Sequence, residues 1–263
     1  MSHSFISWLY GKGEPLSPIL FEFAEGHSLF KGASTVHKFG YNDTIGATEE
    51  TIWSQGGLYV FPSIASSMNV SSDVSTDTSA GVGARSVVIQ GLNADYDEVN
   101  ETVTLNGLTE VATTNEFFRI NRMYTETAGS ADRNEGNIYI GLGGPSSGVP
   151  TTVYGKIDYT ENLTLQAIYT VPRNNVAYIT HYSASVGKGG QAVTVKLRAT
   201  EGNTSILRTR DKFQLLQGNL PSPQIPPTTM VANSDMMFTG ASASGSNDVT
   251  VSIHIIKLPH DWK

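Results

Sequence analysis

The sequence contains no cysteine, so it can form neither a disulfide framework nor a thiolate metal site. Charged residues are also scarce, at 16% of the 263 residues, against roughly 25% in a typical soluble domain. Acidic residues outnumber basic ones by 24 to 17, and no Lys/Arg cluster occurs. No apolar run approaches the roughly 18 residues of a membrane helix. The composition predicts a protein that binds neither nucleic acid nor membrane.

The beginning of the chain lacks the basic region and the apolar core of a secretory signal peptide, so we expect none there. The absence of cysteine fits assembly in a reducing cytoplasm. Low charge combined with ordinary apolar content argues against disorder, which requires the opposite balance. We therefore expect a folded chain whose polar positions are filled by serine, threonine and asparagine.

The first thirty or so residues are rich in aromatic and aliphatic side chains but are interrupted by glycine and proline. Pro15 and Pro18 bias the residues before them toward an extended backbone. We predict an N-terminal arm over residues 1–35, with an ordinary first strand as the alternative. A free arm would expose an apolar surface that needs a partner. The predicted partner-binding residues are Trp8, Leu9, Tyr10, Phe21 and Phe23.

From residue 36 onward, short apolar segments alternate with glycine, asparagine and serine. Residues 193–200 and 249–255 alternate apolar and polar side chains, which is typical of half-buried strands. The dipeptide Asn106-Gly107 is typical of a two-residue hairpin turn. The pattern predicts an all-β protein, an antiparallel, jelly-roll-like β-sandwich, and at most one helical turn.

The glycine-rich loop at residues 141–150 is the predicted boundary within the β region. Residues 36–150 would form one β-sandwich, and residues 151–263 would form either a second sandwich in tandem or the second half of the same one. The sequence pattern leaves both arrangements open.

Motifs that would carry chemistry are incomplete. The loop at residues 141–146 lacks the third glycine of a dinucleotide-binding fingerprint, and the sequence contains no HExxH. A loose calcium site built from Asp95, Asp97 and Glu101 is an alternative to a solvated turn, although the EF-hand pattern fails. We therefore predict no enzyme activity, no catalytic residue, no cofactor and no metal site.

Several segments, taken together and in order, resemble virion structural proteins of tailed bacteriophages. They are VHKFG at residues 36–40, ETIW at 50–53, GGLYVFP at 56–62, GARSVVIQGL at 83–92, YDEVNETVTLNG at 96–107 and IYTVP at 168–172. The resemblance covers roughly residues 36–257 and leaves the N-terminal arm outside it.

The resemblance implies a non-enzymatic component of the virion, assembled in the host cytoplasm. The leading hypothesis is a capsid decoration or cement protein, a homotrimer that binds the major capsid protein and stabilises the head shell. A tail, neck, baseplate or fibre-adaptor component is the first alternative. A glycan-binding module on the virion is the second alternative.

Overall fold

A computed structural model describes residues 32–187 and 191–260. The predicted partner-binding residues of the arm, Trp8, Leu9, Tyr10, Phe21 and Phe23, lie outside the described residues. Their assignment stays a prediction.

The described residues form sixteen β-strands joined by turns and irregular loops. In chain order the strands are β1 (Ser34–Ile45), β2 (Glu50–Thr51), β3 (Asn69–Ser72), β4 (Ala84–Leu92), β5 (Glu98–Thr104), β6 (Val111–Ala112), β7 (Arg119–Ala128), β8 (Ile138–Leu142), β9 (Thr152–Ile157), β10 (Ile168–Thr170), β11 (Asn175–Val186), β12 (Val193–Ala199), β13 (Arg208–Leu215), β14 (Gly218–Met230), β15 (Asp235–Ser242) and β16 (Asn247–Pro259).

Every ladder between named strands is antiparallel, which confirms the predicted fold class. None of the described residues forms a helix that is long and apolar enough to cross a membrane.

The first sandwich is built from both ends of the described chain. One sheet has the order β1-β16-β11-β14, and the facing sheet has the order β10-β15-β12-β13, with β2 added to β15. The two sheets enclose one core, which includes Tyr182, Val195, Phe238 and Val251. The N-terminal strand therefore completes a sandwich whose other long strands follow residue 167.

The second sandwich is inserted between β2 and β10. Its sheets have the orders β6-β3-β8-β9 and β5-β4-β7, and they enclose a separate core that includes Met68, Ile89, Phe117 and Ile140. Ile168 of β10 and Met237 of β15 belong to this second core, so the inserted sandwich packs on the outer face of a sheet of the first one.

The strand pairing divides the chain differently from the predicted boundary at residue 150. That boundary falls between β8 and β9, which are hydrogen-bonded neighbours in the second sandwich. Most of strand β1 falls within the predicted sandwich of residues 36–150. It pairs along its length with β16, which falls within the predicted unit of residues 151–263. The two sandwiches are thus nested along the sequence.

Alternating side chains explain the long strands. Val193, Val195 and Leu197 of β12 are fully buried, whereas the residues between them are half-buried. This agrees with the predicted half-buried strand, because successive side chains of a strand point to opposite faces. The edge strand β14 contains four prolines, which cannot donate to a further ladder and so protect that edge.

Candidate functional site

Three large apolar side chains are exposed on the loop that joins β2 to β3. The exposed fractions are 52% for Leu58, 71% for Val60 and 69% for Ile64. Tyr59, between the first two, is buried at 3% exposure. We call residues 54–67 the apolar loop. Grouped exposed apolar side chains of this kind are typical of a protein-protein contact surface.

Hydrogen bonds to the neighbouring strand fix the apolar loop. The indole nitrogen of Trp53 donates to the carbonyl oxygen of Gly57 at 3.1 Å. The amide of Gly57 donates to Glu50 Oε2 at 2.9 Å, and the amide of Tyr59 donates to Thr51 Oγ1 at 2.9 Å. A loop that is ordered in advance loses less conformational entropy when it binds a partner.

Tyr59 anchors the loop in an aromatic cluster of the second core. Its ring meets Trp53 edge-on at 4.9 Å and Phe61 at 5.0 Å between centroids. Burial raises the pKa of the Tyr59 hydroxyl. Of the four tyrosines that could lie either in the core or on the surface, Tyr59, Tyr139 and Tyr154 are buried, whereas Tyr96 is half-buried.

A buried ion pair joins the two sandwiches. Arg119 at the start of β7 donates from Nε to Asp235 Oδ1 at 2.7 Å and from Nη2 to Oδ2 at 2.8 Å. Thr170 Oγ1 donates to the same Oδ1 at 2.6 Å. Both charged side chains are only 7% exposed. This two-bond geometry holds one sandwich against the other with little rotational freedom.

The same guanidinium also supports the apolar loop. Arg119 Nη1 donates to the carbonyl oxygens of Pro62 and Phe118, both at 2.8 Å. Its charged carbon lies 3.9 Å from the ring centroid of Phe118 and 5.1 Å from that of Phe61. One side chain therefore connects the junction of the sandwiches to the exposed loop.

A cavity of about 480 Å³ lies at the junction, between β1 and the sheet β5-β4-β7. Residues 35–39 of β1 form one wall, and Tyr169 of β10 and side chains of β4, β5 and β7 form the others. We call this space the junction cavity. Two cationic side chains, Lys38 and Arg122, line it.

Both cations are held by neutral carbonyl groups. Lys38 Nζ donates to the carbonyl oxygen of Asn121, and Arg122 Nη2 donates to that of His37. Burial, reinforced by the nearby charge of Arg122, holds the pKa of Lys38 well below its usual value. Burial also lowers the pKa of Arg122. The cavity therefore holds two basic groups where solvation is poor.

Three histidines lie side by side on neighbouring strands beside the cavity. His254 of β16 pairs with His37 on one side and with His181 on the other. The ring centroids are 4.7 Å and 5.7 Å apart. Within residues 32–187 and 191–260, no group of three potential ligands is arranged to hold a metal ion.

Two of the three acidic residues considered for calcium are engaged elsewhere. Asp97 pairs with Arg173, and Glu101 accepts hydrogen bonds from the amides of Thr114 and Asn115 at 2.6 Å and 2.8 Å. These carboxylates hold neighbouring segments of the fold in place.

The glycine-rich loop after β8 packs against β3. Ser71 Oγ donates to the carbonyl oxygen of Gly148 at 2.9 Å. A Cβ atom at Gly148 would lie 1.9 Å from the carbonyl oxygen of Ser72, so the close approach requires glycine. This loop is part of the packing of the second sandwich.

Sequence reasoning missed Arg119, Asp235 and Lys38. Arg119 and Asp235 are 116 positions apart, and no local pattern links them. Lys38 lies within the VHKFG segment, where a lysine next to apolar residues suggests an ordinary surface position. Its position against the second sandwich depends on how the two units pack.

No family model and no curated protein matches this chain. Among solved structures, T=1 particles derived from infectious bursal virus are similar over 88% of this chain and 71% of theirs, at 11% identity and a TM-score of 0.21. A subviral particle of infectious bursal disease virus matches at 10% identity over 89% and 74%, with a TM-score of 0.20. A vicilin from Solanum melongena matches at 7% identity over 89% and 76%, with a TM-score of 0.16. Scores this low carry no argument about function.

Proposed function

We propose that the protein is a non-enzymatic structural component of a tailed-bacteriophage virion, and that it acts as a capsid decoration protein. In this role it binds the head shell as a homotrimer through the apolar loop and the N-terminal arm. The observation that carries the proposal is the apolar loop, a fixed segment that presents Leu58, Val60 and Ile64 to solvent. The GGLYVFP segment, which contributes to the family resemblance, lies in this loop.

The energetics are compatible with a contact role. Burying one large apolar side chain contributes roughly 1.5–3 kcal/mol. Three such side chains on one ordered loop can offset a substantial part of the cost of association. The Arg119–Asp235 pair would hold the loop and both sandwiches in one orientation while many copies assemble.

Copy number in purified virions tests the proposed location. A decoration protein is present in hundreds of copies per particle, whereas a tail, neck or baseplate component is present in about a dozen or fewer. Gel densitometry against the major capsid protein separates the two cases. Absence of the chain from purified virions would reject the virion role altogether.

A charge placed on the apolar loop tests the contact surface. We expect Val60→Asp to abolish binding of the full chain to particles or to its own copies, because a carboxylate would be buried in an apolar contact. The measurements are co-sedimentation with particles and sedimentation equilibrium of the free protein. Leu216→Asp is the matched control, since Leu216 is also exposed, at 63%, but lies in a different turn. Equal binding by both variants would contradict the assignment of this loop.

A further inference from the structure

We infer that the junction cavity is a binding site for a small organic anion that carries a carboxylate or a phosphate group. The volume of about 480 Å³ falls within the range of roughly 300–1,000 Å³ that is typical of small-molecule sites. Both sandwiches contribute walls, and ligand sites often form where two folded units meet. The inference does not depend on the proposed virion role.

The charge of the cavity identifies the class of ligand. Neither Lys38 nor Arg122 forms an ion pair with a carboxylate in the described part of the chain. Glu98 also lines the cavity, but its Oε1 accepts a hydrogen bond from Lys257 at 2.6 Å. Two poorly solvated basic groups therefore share one cavity without an ion-pair partner, and buried charges are normally paired.

An unsatisfied hydroxyl group points to the same ligand. Tyr169 lines the cavity and is only 4% exposed, and its hydroxyl has no hydrogen-bond partner among the described residues. Burial raises the pKa of this hydroxyl, and the charges of Glu98 and Arg122, both on the cavity wall, act on it. The hydroxyl is thus a neutral donor close to Arg122, and an unpaired buried polar group calls for a ligand atom.

The other residues that line the cavity suit the uncharged part of an organic ligand. Gln90 and Asn100 offer amide groups that can donate to and accept from hydroxyls, while Phe39 and Leu163 offer apolar surface. An oxyanion bound between Arg122, Lys38 and the Tyr169 hydroxyl would supply the missing acceptor. It would also raise the lowered pKa of Lys38, because a nearby negative charge favours the protonated amine.

Three sugars that share a glucose ring but differ in charge test the inference. Isothermal titration calorimetry of the full chain, at constant ionic strength, would compare glucuronate, glucose 6-phosphate and uncharged glucose. We expect a saturable signal with at least one charged sugar and none with glucose. The carboxylate and phosphate arms show which oxyanion the cavity prefers.

Two substitutions connect binding to the cavity. Tyr169→Phe removes only the hydroxyl and should weaken binding about tenfold, as expected for a hydrogen bond to a charged group. Arg122→Gln removes the permanent charge and should weaken binding more than tenfold. Arg133→Gln is the control, because Arg133 is an exposed arginine that pairs with Glu135 away from the cavity.

Lys38→Met separates a loss of binding from a loss of folding. This change removes a poorly solvated amine, so the variant should fold at least as well as the parent while binding the charged sugar more weakly. The inference is overturned if neither charged sugar binds at tens of millimolar, if glucose binds equally well, or if Tyr169→Phe and Lys38→Met leave the affinity unchanged.

Discussion

The two sandwiches use different means to fix similar architectures. The first contains strands of 12 or 13 residues, β1, β11, β14 and β16. In β11 and β16, apolar side chains recur at every second position along most of the strand. The second contains the short strands β3, β6, β8 and β9, of two to six residues, joined by long turns. Long ladders fix the register of the first sandwich, whereas the second needs additional ties.

Buried polar side chains supply these ties in the second sandwich. Asp77, which is fully buried, accepts hydrogen bonds through Oδ1 from the amides of Ala84 and Glu135, at 2.8 Å and 2.9 Å. Its Oδ2 accepts from Ser72 Oγ at 2.8 Å and from the amide of Gly136 at 3.0 Å. One carboxylate thus ties together the end of β3, the start of β4 and the turn at residues 135–136. Ladder hydrogen bonds perform this task in the first sandwich.

Breaking the junction should have the largest effect. Arg119→Leu would leave the buried carboxylate of Asp235 without its cation, and we expect the free energy of unfolding to fall by about 3–5 kcal/mol. Urea unfolding followed by circular dichroism measures it. Arg133→Gln, which breaks an exposed pair, should cost far less stability. If the two variants lost equal stability, the junction would not depend on the buried pair.

Replacing the buried carboxylate of Asp77 in the second sandwich should cause the second largest loss of stability. In Asp77→Asn, an NH₂ group would replace a carboxylate oxygen that now accepts hydrogen bonds. We expect the free energy of unfolding to fall by about 2–3 kcal/mol, because buried donors would lose their acceptor. The matched control is Asp132→Asn, the same chemical change at an exposed turn position nearby. Thermal unfolding compares them, and a loss no larger than that of the control would argue against the role of Asp77.

Sequence patterns predicted the strands of this fold better than their partners. Alternation in β12 and β16 indicated which side chains face the core, and burial of Val195 and Val251 confirms it. The pairing of β1 with β16 joins residues about 200 positions apart, and many strands offer a similar apolar face. Partner choice therefore depends on the packing of the whole molecule.

The Asn106-Gly107 turn illustrates the same limit. A turn does form there, with Gly107 at a φ of 61° and a bridge between Asn106 and Thr109. The strands on either side do not form the expected hairpin, however, since β5 pairs with β4 and β6 pairs with β3. The dipeptide specifies the local backbone, whereas the sheet that each strand joins is decided by burial on both sides.

The candidate site could be predicted from the sequence less well than the fold could. The segment that contains the apolar loop was noted for its resemblance, but nothing local indicated that Leu58 and Val60 are exposed while Tyr59 is buried. Lys38 and Tyr169 meet in the junction cavity only because the inserted sandwich packs against β1 and β10. Cavities between units depend on contacts that no single segment encodes.

Removing the buried amine of Lys38 from the junction cavity should stabilise the protein. The unfolded chain binds the Lys38 proton more tightly than the folded one, so the free energy of unfolding rises with pH between the lowered pKa and 10.5. Lys38→Met should lack this rise and should be more stable by about 1 kcal/mol near neutral pH. Asn121 O keeps a hydrogen bond from Gln166 Nε2 in the variant. Thermal unfolding across this pH range measures both effects.

Lys212→Met is the matched control, because Lys212 is exposed on β13. It should change neither the stability near neutral pH nor the slope with pH. A Lys38→Met variant that is less stable than the parent would mean that the buried amine contributes more through its hydrogen bond to Asn121 than it costs through desolvation.

The smallest effect concerns the loop that ties β1 to the outer face of the first sandwich. Burial would raise the pKa of Glu49, but hydrogen bonds from Lys196, Thr239 and Arg198 outweigh it and lower the pKa to about 2. Glu49 thus adds stability above its ordinary value of 4.5, and this contribution is lost as the pH falls toward 2. For Glu49→Gln we expect a loss of about 1 kcal/mol near neutral pH.

The pH dependence of stability distinguishes the contribution of Glu49 from that of the buried polar groups in the second sandwich. Thermal unfolding between pH 7 and pH 2 should show the parent and Glu49→Gln converging as the carboxylate is protonated, whereas exposed Glu161→Gln should follow the parent throughout. If the two stabilities converge, the first sandwich stays folded without the charge of Glu49, because its long strands are held by ladder hydrogen bonds. The second sandwich, by contrast, depends on the carboxylate of Asp77. A constant difference between parent and variant at every pH would instead place the contribution of Glu49 in packing rather than in its charge.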